Sequence, residues 1–103
     1  MISEIQKETL LKYLGPIKPL KIAIFGSYAR GENKEGSDLD ILVDLDYSQK
    51  IGLGFVQMQQ DLERILQVKV DLVSSNGLSK YIKPYIDREK RLIYASSVRM
   101  NNL

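Results

Sequence analysis

The chain contains no cysteine and no histidine. The first absence removes disulfides and thiol chemistry. The second removes Ser-His-Asp triads, Cys-His pairs and histidine-ligated zinc. Chemistry must therefore run on carboxylates, hydroxyls, lysine, arginine or a bound metal. Long apolar runs are also missing. No segment reaches the roughly 18 uninterrupted apolar residues of a membrane span. The N-terminus, MISEIQKETL, carries charges where a signal peptide needs an apolar stretch. A soluble, cytoplasmic protein with no membrane association is the expectation. There is no internal repeat, no linker and no low-complexity tract.

What remains is a globular composition. The 103 residues are 44% hydrophobic, which predicts one compact domain over 1–103. A domain of this size buries little surface to spare. It has room for one sheet and a few helices, not for a separate substrate-reading domain. The formal net charge is +2, with 7 basic and 8 acidic side chains in residues 1–50 and 8 and 5 in residues 51–103. Nucleic-acid binders concentrate basic residues into a footprint. This weak skew reads as solvated surface, and direct nucleic-acid binding is not expected.

The pattern predicts alternating helices and strands. Ser3 caps a helix running to about Leu14, and Gly15-Pro16 ends it. Leu20 to Phe25, Leu39 to Leu45 and Lys69 to Val73 read as strands, with Arg91 to Ala95 a fourth, at an edge. In the second of these, Leu39, Ile41, Val43 and Leu45 share one face, and Asp38, Asp40 and Asp44 share the other. A helical turn begins at Ser27, and GENKEG at 31–36 is a loop. Ile51 to Gln67 keeps helical spacing through Phe55, Met58, Leu62, Ile65 and Leu66. Ser79 caps a short helix that Pro84 interrupts or restarts, and 96–103 is a polar tail expected to fray. The fold class is α/β (α+β): a mixed sheet of about four strands with helices packed mainly on one face. Its strand order is open.

One constellation carries chemistry. The strand KIAIF runs directly into Gly26-Ser27, and ten residues separate Ser27 from Asp38-Leu39-Asp40. Glycine lets backbone approach an anion closely. Ser27 offers a hydroxyl and an N–H at the start of a helical turn, where the dipole favours phosphate. Asp38 and Asp40, two apart on a strand, leave the same face about 6 to 7 Å apart at the backbone. Magnesium takes hard oxygen ligands, commonly one or two carboxylates plus substrate phosphates. Asp71 in KVDLV sits poorly in a strand interior. On a neighbouring strand it completes a metal triad that could deprotonate an attacking hydroxyl.

Taken singly, each residue has a plainer reading. Gly26 is a turn glycine, Ser27 a helix cap, and the aspartates solvated strand positions. The joint pattern is what resists that explanation. Arg30 has two readings, neutralising phosphate or bracing the Asp loop through a salt bridge. Tyr28 reads as packing, and Tyr81, Tyr85 and Tyr94 as core or interface residues. Glu32, Glu35 and Asp44 read as surface. Lys80, Lys83, Arg88, Lys90 and Arg91 form either a solvated helix face or a partner-facing stretch.

GSYARGENKEGSDLDILVD resembles the signature of the DNA polymerase β-type nucleotidyltransferase superfamily: Gly-Ser, ten residues, then Asp-x-Asp. KVDLV is similar to the strand bearing that superfamily's third carboxylate. The short length and the tail LSKYIKPYIDREKRLIYA look more narrowly like the minimal nucleotidyltransferase (MNT) antitoxins, which accompany HEPN-domain ribonuclease toxins. The resemblance spans about residues 18–95. It implies a nucleotidyltransferase palm and two magnesium ions. Asp38 and Asp40 would bind both ions. Asp71 would bind the catalytic ion and help activate the acceptor, and Gly26 and Ser27 would hold the β- and γ-phosphates of ATP. It further implies transfer of AMP from ATP to a tyrosine hydroxyl of a HEPN toxin, in a hetero-oligomer. Two other classes stay open: a non-catalytic antitoxin acting by occlusion, and a nucleotidyltransferase for an RNA end or a small molecule.

Overall fold

The computed structural model describes residues 2–45 and 54–96. Helix α1 (Glu4–Leu14) starts at a reciprocal cap. The Ser3 hydroxyl accepts the Gln6 N–H, and the Gln6 side chain accepts the Ser3 N–H. Strand β1 (Lys21–Phe25) leads straight into the one-turn helix α2 (Gly26–Arg30). Then follow β2 (Leu39–Asp44), α3 (Gly54–Leu66), β3 (Val70–Ser74), α4 (Lys83–Glu89) and β4 (Arg91–Ala95). The expected start of α3 at Ile51 and the expected frayed tail beyond Ser96 lie outside the described residues.

The four strands form one mixed sheet in the order β3-β2-β1-β4. β1 pairs antiparallel with both β2 and β4, whereas β2 and β3 run parallel. The parallel pair demands a crossover, and α3 supplies it. β4 lies at an edge, as the sequence predicts. β3 forms the other edge, where outward N–H groups need partners. Side chains of α3 provide them: Glu63 accepts the Val70 N–H at 3.1 Å and Gln59 accepts the Leu72 N–H at 2.9 Å.

One face of the sheet carries the main core. Ile22 and Ile24 of β1, Leu39, Ile41 and Val43 of β2, and Val70 and Leu72 of β3 pack against Leu10, Leu14, Leu62 and Leu66 of the helices. Tyr28 and Ala29 of α2 join them, so Tyr28 is a packing residue. α1 and α3 are also tied by a hydrogen bond from the Tyr13 hydroxyl to Asp61. The opposite face is thinly covered. α4 lays Ile86 over Ala23 and Leu42, with Phe25, Val73 and Leu78 around them. Pro84 falls in the first turn of α4, where its missing N–H does no harm, so it starts a helix rather than interrupting one. Ser79 caps the turn before it, accepting the Ile82 N–H at 3.2 Å.

Of the two readings of Tyr81, Tyr85 and Tyr94, core or interface, exposures of 75%, 67% and 39% remove the core one. The cover on this face is one short helix, too small to bury them. The basic stretch is largely engaged within the chain. Lys83 and Lys90 pair with Asp87, Arg88 lies over the Tyr85 ring, and Arg91 donates to the Ala29 carbonyl.

Ile24 is 1% exposed at the centre of the main core. Ile24→Ala is expected to lower unfolding free energy by about 3 kcal/mol in urea titration.

Candidate functional site

The end of β1 and the start of β2 meet at one corner. Antiparallel register sets Phe25 opposite Asp40, and parallel register sets Asp40 beside Asp71. Strand alternation puts all three on the thinly covered face. Asp38 precedes β2 and is exposed, Asp40 is half-buried, and Asp71 is exposed on the edge strand. Gly26 opens α2 with φ +70°, a left-handed value that glycine adopts without strain. It is needed for space as well. A Cβ at residue 26 would collide with Asp40 Oδ2. Gly26 and Asp40 therefore fit together as backbone and carboxylate.

The electrostatics of this corner are unfavourable to the folded chain. Burial pushes the Asp40 carboxyl up from 3.8 to about 6, and the charges of Asp71 and Asp38 push it the same way. Arg30 opposes the shift and Glu89 adds to it. The three aspartates act on one another through their fields without closing on a point. Among the described residues, no three acidic side chains gather closely enough to hold a metal ion as they stand. A half-buried carboxylate raised by two neighbouring carboxylates is nevertheless a hard-oxygen donor set with unmet negative charge, and that suits a divalent cation.

Arg30 makes two salt bridges, one to the loop that leads to Asp38 and one to α4. It donates to Glu32 at 2.7 Å and to Glu89 at 3.1 Å. The second of these braces the end of α4, because Glu89 reaches the Gly26 turn from that side. Glu89 also accepts the Gly26 N–H at 3.1 Å. Sequence reasoning missed Glu89: its place at the carbonyl end of α4 is a local oddity, but nothing local points to Gly26, 63 residues away. Gln59 and Glu63, which pin the strand carrying Asp71, were missed as well. Their spacing of four on one helix was the available hint.

A cleft of about 560 Å³ lies on the same sheet face, lined in part by Lys21, Leu42, Asp44, Lys83 and Leu92. None of Gly26, Ser27, Asp38, Asp40 or Asp71 lines it. α4 lines this cleft through Lys83 and Asp87 and reaches the Gly26 turn through Glu89.

The family model described as the nucleotidyltransferase domain matches residues 3–95. The chain belongs to the nucleotidyltransferase domain family. This nucleotidyltransferase is 47% identical over 81 residues to a candidate protein adenylyltransferase of Methanocaldococcus jannaschii, covering 75% of this chain and 92% of that protein. It is 44% identical over 69 residues to the protein adenylyltransferase MntA of Thermococcus cleftensis, covering 67% and 69%. Its fold is similar to a solved complex of a tri-AMPylated Shewanella oneidensis HEPN toxin with an MNT antitoxin. The TM-score there is 0.75 at 20% identity, over 97% of this chain and 78% of that one. Among the described residues, no helix of the nucleotidyltransferase is long and apolar enough to cross a membrane.

Two outcomes follow from the Gly26–Asp40 fit. Asp40 has a folded pKa above its unfolded value, so ionising it destabilises the fold. The penalty is absent below about pH 4, grows as the pH rises to about 6, and is complete above. Asp40→Asn is expected to stabilise the protein at pH 8 by roughly 1 kcal/mol, allowing for partial exposure to water, and to change nothing at pH 3.5. Urea unfolding at the two pH values measures this. Gly26→Ala is expected to lose roughly 1–2 kcal/mol from its left-handed backbone and the collision. Combining it with Asp40→Ala should restore the collision's share, read from a double-mutant cycle of thermal melts.

Proposed function

We propose that this nucleotidyltransferase is an MNT antitoxin that transfers AMP from ATP to a tyrosine hydroxyl on a HEPN-domain ribonuclease toxin and so silences it. The observation that carries the reading is Asp40 beside Asp71 on the adjoining strands β2 and β3, with Gly26, just past the end of β1, packed on the Asp40 carboxylate. Similarity to the protein adenylyltransferases supports the reaction type. The structurally similar complex, an AMPylated toxin bound to its antitoxin, supports the class of acceptor. Exposed apolar side chains, among them Tyr81, Ile82, Tyr85 and Leu92, support contact with another protein. A cytoplasmic hetero-oligomer with the toxin belongs to the same reading.

In this mechanism Gly26 leaves room at the turn for the nucleotide's phosphates. Ser27 donates its hydroxyl and N–H to the β- and γ-phosphates. Asp38, Asp40 and Asp71 would hold magnesium, which when bound neutralises phosphate charge around the reacting centre. The acceptor oxygen attacks the α-phosphorus in line. The bond from that phosphorus to the bridging oxygen breaks, and pyrophosphate leaves. The hydroxyl proton passes to Asp71, the more exposed neighbour of Asp40. Arg30, beside the turn, adds positive charge near Asp40. The protein's contribution is positioning and electrostatics.

Asp38→Asn should reduce AMP transfer by roughly a hundredfold or more while leaving the melting temperature unchanged. Mass spectrometry of the partner after incubation with ATP and magnesium reads the transfer as added AMP units. Full transfer by the variant would remove the carboxylate from the mechanism. A variant that transfers nothing yet still inhibits the toxin at equal abundance would assign neutralisation to occlusion.

A further inference from the structure

Glu89 is a carboxylate in a place its own helix disfavours. It is the last residue of α4, where unsatisfied carbonyls make negative charge unfavourable. Residues that break a local rule are held by a tertiary contact. Here the contact is with the Gly-Ser turn. Glu89 Oε1 accepts the Gly26 N–H at 3.1 Å and Arg30 Nη1 at 3.3 Å, and Oε2 accepts the same Nη1 at 3.1 Å. α2 lacks a cap of its own. Phe25 occupies the capping position and makes no side-chain hydrogen bond there. The acceptor that the local sequence omits arrives from the far end of the chain.

We propose that Glu89 is the positioning residue that sets the Gly26-Ser27 turn to receive the nucleotide's polyphosphate. The inference rests on the reading of Gly26 and Ser27 as the phosphate grip. A glycine at φ +70° has wide freedom, and an uncapped single turn does not restrain it. Tying its N–H to a carboxylate fixes the Phe25–Gly26 peptide, the end from which Gly26 turns the chain into Ser27. The same carboxylate holds Arg30 beside the turn. Because Glu89 takes the Gly26 N–H, the grip on phosphate falls to Ser27. Glu89 acts through the turn and touches no reacting atom. A carboxylate that merely kept the phosphate's place would behave oppositely, since its removal would tighten nucleotide binding.

Calorimetric titration of magnesium-ATP into the wild type and the variants Glu89→Gln, Glu89→Asp and Glu89→Ala decides between these. Gln keeps the acceptor at the same reach without the charge. Asp keeps the charge but is one methylene shorter. Glu89→Gln is expected to bind within about threefold of the wild type. Glu89→Asp and Glu89→Ala are expected to bind roughly tenfold more weakly, the worth of one hydrogen bond to a charged group. Hydrogen exchange at the Gly26 amide should stay protected in the wild type and Glu89→Gln, and quicken in the other two. Should Glu89→Ala fail to fold, the Gln and Asp variants still decide. Tighter binding by Glu89→Ala, or Asp matching the wild type while Gln does not, overturns the inference. If the wild type binds magnesium-ATP and all variants match it, this inference alone fails. If the wild type binds none, the phosphate-grip reading fails and takes this one with it.

Discussion

Asp40 Oδ2 fills the volume that a side chain on residue 26 would need. The rest of the site depends on that contact being possible. It requires a glycine at the end of β1, a left-handed backbone there, and a strand register that brings Asp40 opposite Phe25. The apolar face of the sheet enforces the register. Ile24, Ile41 and Leu72 pack into the main core beneath the carboxylate row. A one-residue slip of β2 would turn Asp40 into that core and Ile41 into water. Burial on one face thus fixes the charges on the other.

The same corner concentrates the chain's departures from local preference. Asp71 stands inside a strand, Gly26 in left-handed backbone, Glu89 at the carbonyl end of a helix, and Asp40 half-buried among like charges. Much of the rest follows local preference, from the Ser3–Gln6 capping box to the alternation along β2, with left-handed Lys18 and Gln67 as exceptions. Repulsion among carboxylates gathered at one place is what a site prepared for a charged ligand would show. A bound cation and polyphosphate would relieve the repulsion, so the ligand and the fold are energetically linked.

Much of the architecture was legible because it arises from near neighbours. Helix α1 was readable from Ser3, Leu10, Leu14 and Gly15. The alternation of Leu39, Ile41 and Val43 placed Asp40 on the opposite face before any pairing was known. The tyrosines at 81, 85 and 94 stayed ambiguous between core and interface because an aromatic side chain looks the same in sequence whether a core or a partner covers it. Arg30 was legible as a cation beside the turn but not as a partner of Glu89.

The amino-acid sequence by itself determined which side chains can do chemistry, which strand face they leave, and that a glycine and a serine precede them at a set distance. Those properties follow from covalent geometry and periodicities of two and 3.6 residues, which act over short stretches of chain. Only the tertiary structure decided the order β3-β2-β1-β4, the parallel pairing that sets Asp71 beside Asp40, and the reach of Glu89 to Gly26. These are contacts between distant segments, chosen by how the whole set of apolar faces packs, and no local pattern encodes them.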